Sequence, residues 1–275
     1  MSHTRHTLGK DVQDSRDYTY LLKGSELRRP LPRHVDLRSK CPPVFNQGAS
    51  HTCTAQAVAA ALAYEHKAHG MRSINPSRLF IYYNERDLTG QRSLEPVLRL
   101  RNALKAVAKR GACDEKLWPF LDDKKQVGKR PPREAFVAAS AHRIFEYQRI
   151  PMHALKPAAF LRHLKRCLAD GSPILFGIKI YASFESDPAL KSGVMPVPDT
   201  KQEALIGGHA VMAVGYDDRK KAVLVRNSWG PKWGAKGHFW MPYKLITNPD
   251  LAHDFWTLRG IVITRPGAIA ASRQA

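Results

Sequence analysis

Four residues of this chain are the parts of a nucleophilic site: Cys53, His209, Asn227 and Gln47. A thiolate is a strong nucleophile, but an ordinary cysteine ionises only near about pH 8.5 and needs a base or a positive environment beside it. Cys53 opens an alanine-rich stretch that reads as a helix. The unpaired N–H groups and positive dipole end of a helix start favour the thiolate. His209 stands just before the strand-like run Ala210–Tyr216, and Asn227 just after the strand-like run Ala222–Arg226. The polar turn Asp217–Lys221 joins the two runs, and a hairpin centred on Asp218 sets His209 opposite Asn227. An amide held there fixes the imidazole tautomer and leaves the other ring nitrogen for proton transfer. Gln47, six residues before Cys53, brings a side-chain donor that can hold a developing oxyanion together with the Cys53 N–H. Each signal alone has a plainer reading: a His and an Asn satisfying polar groups at a hairpin end, and a buried thiol on a helix.

The elements that must position these residues follow from periodicity. Helices are predicted over 53–69, 76–87, 94–109 and 158–169, with Thr52 capping the first and Gly70 ending it. Pro30, Pro32 and Cys41-Pro-Pro-Val44 read as extended chain, and the charged, proline-containing stretch 121–135 reads as an exposed loop. Downstream the pattern turns to β, with strands predicted over 174–180, 210–216, 222–226, 238–241 and 257–264. A helical first half and a β-rich second half predict an α+β protein whose two subdomains share a cleft. The expected division is an N-terminal extension, 1–30, a mainly helical subdomain, 31–140, carrying Cys53, and a β-rich subdomain, 141–275, carrying His209 and Asn227.

The chain has 275 residues, enough for a sizeable core, and 43% of them are hydrophobic. No apolar run approaches the roughly 18 residues of a membrane span. The polar, basic start has no apolar segment of the secretory type, so a cytoplasmic location is expected, with leaderless export left open. Cys41, Cys53, Cys113 and Cys167 show no paired metal-ligand spacing, and neither a metal nor a cofactor is expected. A Cys41–Cys113 bridge and two buried thiols are both open readings. The 44 Lys and Arg against 24 Asp and Glu give a formal charge of +20. Such a charge attracts polyanions or acidic partners, although without interleaved aromatics it also reads as an ordinary solvated surface. The local clusters are Lys124-Lys125, Lys129–Arg133, Arg162–Arg166 and Arg219–Lys221.

Gln47-Gly48 followed by Cys53, then Gly208-His209-Ala210-Val211, then Asn227-Ser228-Trp229-Gly230 with Trp233-Gly234 and Gly237, resembles the papain family of cysteine peptidases. The resemblance runs from Leu31-Pro-Arg-His-Val-Asp-Leu-Arg38 to about Ile263. It implies a papain-like fold, with a helical and a β-barrel-like subdomain meeting at an active-site cleft. It also implies hydrolysis of peptide bonds in protein substrates, expected to be internal ones, through a thioester acyl-enzyme. In that reading Cys53 is the nucleophile, His209 the acid and base, Asn227 its orienting partner and Gln47 an oxyanion donor. Trp229 shields the His209–Asn227 pair, and Gly207 and Gly208 border the substrate cleft.

Two positions depart from the family pattern. Ser50 stands where many members have a disulfide cysteine, and Thr54 where a tryptophan usually follows the nucleophile. The lost disulfide fits a reducing compartment or a bacterial-type branch, and Thr54 implies a repacked first turn of the helix. The extension before Leu31 is too short for the long helical prosegment of family zymogens, and it is expected to pack on the surface or partly block the cleft. Two competing readings are acyl transfer or deamidation on the same Cys–His site, and a catalytically silent basic protein that binds polyanions. The complete set of Gln47, Cys53, His209 and Asn227 favours the peptidase.

Overall fold

A computed structural model describes residues 8–71, 73–91, 97–121, 128–186 and 191–263. After the short α1 (Gly24–Arg28) and β1 (His34–Asp36) come three helices: α2 (Cys53–Ala68), α3 (Arg78–Leu88) and α4 (Leu100–Arg110). The short α5 (Arg133–Ala139) leads into β2 (His142–Ile150), followed by α6 (Pro157–Ala169) and β3 (Ile174–Tyr181). The chain closes with β4 (Leu205–Asp217), β5 (Ala222–Arg226), β6 (His238–Pro242), α7 (Tyr243–Ile246) and β7 (Ala252–Ile263).

Alanine dominates α2 because the helix is central: every residue from Cys53 to His66 is buried, and small side chains let neighbouring elements approach closely. Gly70 ends it with φ of +66°, a conformation that favours glycine. Thr52 holds the N-cap position but does not cap. Its hydroxyl accepts from Gln56 Nε2 at 3.0 Å and lies 2.8 Å from Ser50 Oγ.

The strands form one antiparallel sheet in the order β2-β7-β3-β4-β5-β6, with β1 added on β4. Alternation along the strands covers both faces. Ile174, Phe176, Ile178 and Ile180 share a core with Phe160, Leu164 and Leu168 of α6, whereas Leu175, Ala210, Met212 and Val214 share one with Ala57, Val58 and Ala61 of α2. α2 therefore backs onto the strand that carries His209. Among the described residues the end strands β2 and β6 do not pair with each other, so the barrel-like closure expected from the resemblance is replaced by an open sheet.

Other expectations also shift. The helix predicted over 94–109 begins only at Leu100, because Leu98 is taken into a bridge with Leu8 and the Arg99 N–H donates to Glu85 Oε1 at 3.3 Å. The remainder of that prediction, residues 94–96, lies outside the described residues, as do 122–127 of the predicted loop, whose end forms α5. The strand β2 was not foreseen, and β7 starts five residues before its prediction. All four cysteines are free thiols, so Cys41 and Cys113 are not bridged. No described helix is long and apolar enough to cross a membrane.

The extension lies against both halves. Leu8 is buried and pairs in parallel with Leu98, the Gly9 N–H donates to Leu98 O at 2.8 Å, and the Leu8 N–H reaches Gly208 O at 3.4 Å. Asp11 then anchors the segment. Its N–H donates to Asp254 Oδ2 at 2.7 Å, and its carboxylate accepts from Trp256 Nε1 at 2.8 Å and from the Arg101 N–H at 3.3 Å. Arg101 holds the Val12 carbonyl and Asp17, and Thr19 bridges to Arg149 on β2.

Candidate active site

The site assembles where the start of α2 meets β4 and the end of β5. Cys53 is the first residue of α2 and is only 3% exposed. The backbone N–H of Ala210, the residue after His209, favours the Cys53 thiolate, as do the N–H groups of Thr54 and of Cys53 itself. These donors pull the thiol toward ionisation. Burial opposes them and wins, pushing it up to about 12. Glu85, buried nearby, pushes in the same direction.

His209 is fully buried, and its Nε2 lies 2.8 Å from Asn227 Oδ1. That contact makes Nε2 the protonated donor and assigns proton exchange to Nδ1, at the other edge of the ring. The Asn227 amide is itself fixed, since its Oδ1 also accepts the Ser228 N–H at 2.8 Å. The Trp229 ring lies against His209 with centroids 5.0 Å apart and planes tilted by 31°, and it is backed by Phe184 and Trp233. An apolar ring over a hydrogen bond excludes water and strengthens it.

Gln47 is tied to this group from the other side of the site. Its N–H donates to Ser228 O at 2.8 Å, and its side-chain Oε1 accepts from Ser228 Oγ at 2.6 Å. The amide is thereby oriented, with Nε2 donating one hydrogen to Ser50 O at 2.9 Å and keeping a second. Asn46 bridges to Trp229 and the Gly230 N–H donates to Phe45 O, so residues 45–47 and 228–230 form a short antiparallel pair that locks Gln47 to Asn227.

The two departures from the family pattern have hydrogen-bonded substitutes. Ser50 Oγ donates to Gln47 O at 2.7 Å. Thr54 Oγ1 lies 2.6 Å from Glu85 Oε2 in the fully buried space behind the nucleophile. Burial raises the Glu85 carboxyl to about 8.

Cys53, His209, Asn227, Gln47 and Trp229 gather in this cluster, whereas Gly207 and Gly208 precede it on β4, paired with Ile180 and Lys179. A Cβ added to Gly208 would overlap the carbonyl oxygen of Leu8, so the close approach of the extension requires a glycine there. Ser228 and Glu85 were not singled out from the sequence. Ser228 was visible only as a member of the Asn-Ser-Trp-Gly block, and no local signal marks Glu85.

The profile of the papain family cysteine proteases matches residues 31–253. An uncharacterised peptidase C1-like protein of Acanthamoeba polyphaga mimivirus is 39% identical over 221 residues, covering 79% of this chain and 70% of its own. Chymopapain of Carica papaya is 27% identical over 238 residues, and the chain spans 59% of its length. Among solved structures, xylellain, a cysteine protease from Xylella fastidiosa, superposes with a TM-score of 0.83 at 38% identity, covering 96% of this chain and 97% of that one. Fold, site and relatives agree: the chain belongs to the papain family of cysteine proteases.

Proposed function

We propose that this cysteine peptidase cleaves peptide bonds through a thioester on Cys53. The Cys53 thiol passes its proton to His209 Nδ1 as the sulfur attacks the substrate carbonyl carbon, and the oxyanion is held by the Cys53 N–H and the second Nε2 hydrogen of Gln47. The C–N bond breaks as His209 gives a proton to the leaving amine. Water then attacks the thioester, with His209 taking its proton, and the acid is released with the thiolate restored. The observation that carries this reading is the 2.8 Å contact of His209 Nε2 with Asn227 Oδ1 beneath the Trp229 ring. It fixes one tautomer in the residue next to Ala210, whose backbone N–H favours the Cys53 thiolate.

The extension acts on the same site. Leu8 and Gly9 occupy main-chain positions between Leu98 and Gly208, and a substrate backbone would compete for the same groups. Residues 8–20 thus serve as a strap that lowers activity until it is released or cut. Cleavage profiling of a peptide library under reducing conditions, with labelling by a thiol-directed epoxide, tests the reading. The native chain should cleave internal bonds and be labelled once, at Cys53, and Cys53→Ala should do neither. Cleavage that persists in Cys53→Ala would overturn it.

A further inference from the structure

A second concave site, open to solvent, is lined by residues of α3, α4, α5 and the start of β2, with a cavity of about 400 Å³. That volume falls in the range of small-molecule pockets, about 300–1,000 Å³. It is remote from the catalytic group: Glu85 of α3 points to Thr54, whereas Tyr83 and Asp87, two residues to either side, line this cavity. Two residues along a helix turn the side chain by about 200°, so the faces are opposed.

The lining is strongly cationic. Lys109, Arg110, Arg130 and Arg143 face one carboxylate, Asp87. Arg110 is already engaged, its Nη1 lying 2.7 Å from both Asn84 Oδ1 and Asp87 Oδ2. The other three cations have no anionic partner among the described residues. Arg143 is half-buried, and its Nε is a buried donor with no hydrogen-bond partner. An unmet buried donor on a charged group is destabilising, and a bound anion would recover that loss.

The basic run Arg162–Arg166 differs. In Arg162–Arg166, the two arginines clamp carbonyls of Leu27, Arg29 and Pro30, and Lys165 pairs with Asp218 at 2.7 Å. That run is spent on holding the chain together, whereas Lys109, Arg130 and Arg143 of the cavity have no ion pair among the described residues. Two aromatic rings complete the wall. Phe136 stands edge-on to Tyr83 with centroids 6.3 Å apart, and the Arg130 guanidinium lies 5.7 Å above the Phe136 ring, which orients it toward the cavity.

We propose that this cavity binds a small phosphate ester, with Arg143, Arg130 and Lys109 on the phosphate and Tyr83 and Phe136 against its organic part. Guanidinium forks match phosphate oxygens in pairs, and the surplus of three positive charges suits a dianion. The cavity is larger than one phosphate group, and the aromatic wall supplies contacts only a ligand with an organic part can use.

The test is calorimetric titration of the full chain with phenyl phosphate and with inorganic phosphate, at constant ionic strength set by sodium chloride. Phenyl phosphate should bind saturably and more tightly than inorganic phosphate. Arg143→Gln and the paired exposed change Lys109→Gln/Arg130→Gln should each weaken it about tenfold or more. Retained peptide cleavage shows that each variant is folded, and if Arg143→Gln fails this check the paired change decides. No saturable binding, or equal binding by the folded variants, would overturn the proposal. So would a single-stranded oligonucleotide that binds while phenyl phosphate does not, since the site would then serve nucleic acid.

Discussion

His209 and Asn227 meet at 2.8 Å without being opposite each other in the ladder. Next to the turn Asp217 pairs with Ala222 and Gly215 with Leu224, but beyond Val214 the register steps by one, so that Ala213 pairs with Val225 and Met212 with Arg226. Val214 is the extra residue of a β-bulge. Without it, Asn227 would continue on the opposite face from His209. With it, the two lie diagonally on one face, within reach of long side chains. Removing the amide should leave the fold intact and mis-set the imidazole. Asn227→Ala is expected to lower kcat by roughly 10²-fold with a small change in KM, read by steady-state peptide hydrolysis.

Gln47 and Ser228 should act as donor and support. Gln47→Ala is expected to lower kcat by about 10²–10³-fold, the typical cost of one oxyanion donor. Ser228→Ala removes only the 2.6 Å bond that orients the Gln47 amide, and about tenfold in kcat is expected from one lost hydrogen bond. In the double variant the two effects should not add, and additive losses would mean that Ser228 acts elsewhere.

The strap should compete with substrate. Removing residues 1–12 is expected to raise kcat/KM on short peptides about tenfold or more, mainly through KM. Asp11 gives this hold a pH dependence. Burial and the neighbouring Asp254 charge raise its carboxyl when the strap is docked. A raised carboxylate contributes its hold fully below the ordinary carboxylate range and loses it as pH rises through the raised value. Docking should therefore weaken from acid to neutral pH, and Asp11→Asn should flatten that slope in a kcat/KM–pH profile relative to the native chain.

Glu85 should make stability fall toward alkaline pH. Its carboxyl is raised from 4.5 to about 8, so its contribution is complete below 4.5 and disappears as pH rises toward 8. When neutral it can donate to Thr54 and accept the Arg99 N–H, an arrangement that glutamine reproduces. Glu85→Gln is expected to hold its Tm between pH 5 and about 9, where the native chain loses several degrees. Parallel Tm–pH curves would remove Glu85 as the cause.

What the sequence made legible was local. The alanine-rich run after Thr52 and the β-branched run Ala222–Arg226 were found to within a residue, because periodicity and burial agree there. The hairpin was expected around Asp218 and is centred further along, but the offset kept side-chain parity, so the His209–Asn227 pairing survived the error. Long-range decisions were not legible. β2 interleaves Arg143, Glu146, Gln148 and Arg149 as an edge strand does, which masks its period. Residues 97–99 would continue a helix but are drawn out by Leu8 and Glu85, far away in sequence. Glu85 itself touches Thr54 across 31 residues, a contact no local pattern announces.

The central claim is that Cys53 carries the acyl group while His209, held by Asn227, moves the proton. Intact-mass spectrometry of the native chain quenched during turnover of an activated ester tests it directly. The account requires one acyl adduct, mapped to Cys53, that is absent in Cys53→Ala and forms far more slowly in His209→Ala. Full turnover with no adduct on Cys53, or an adduct on another residue that turns over in Cys53→Ala, would contradict it.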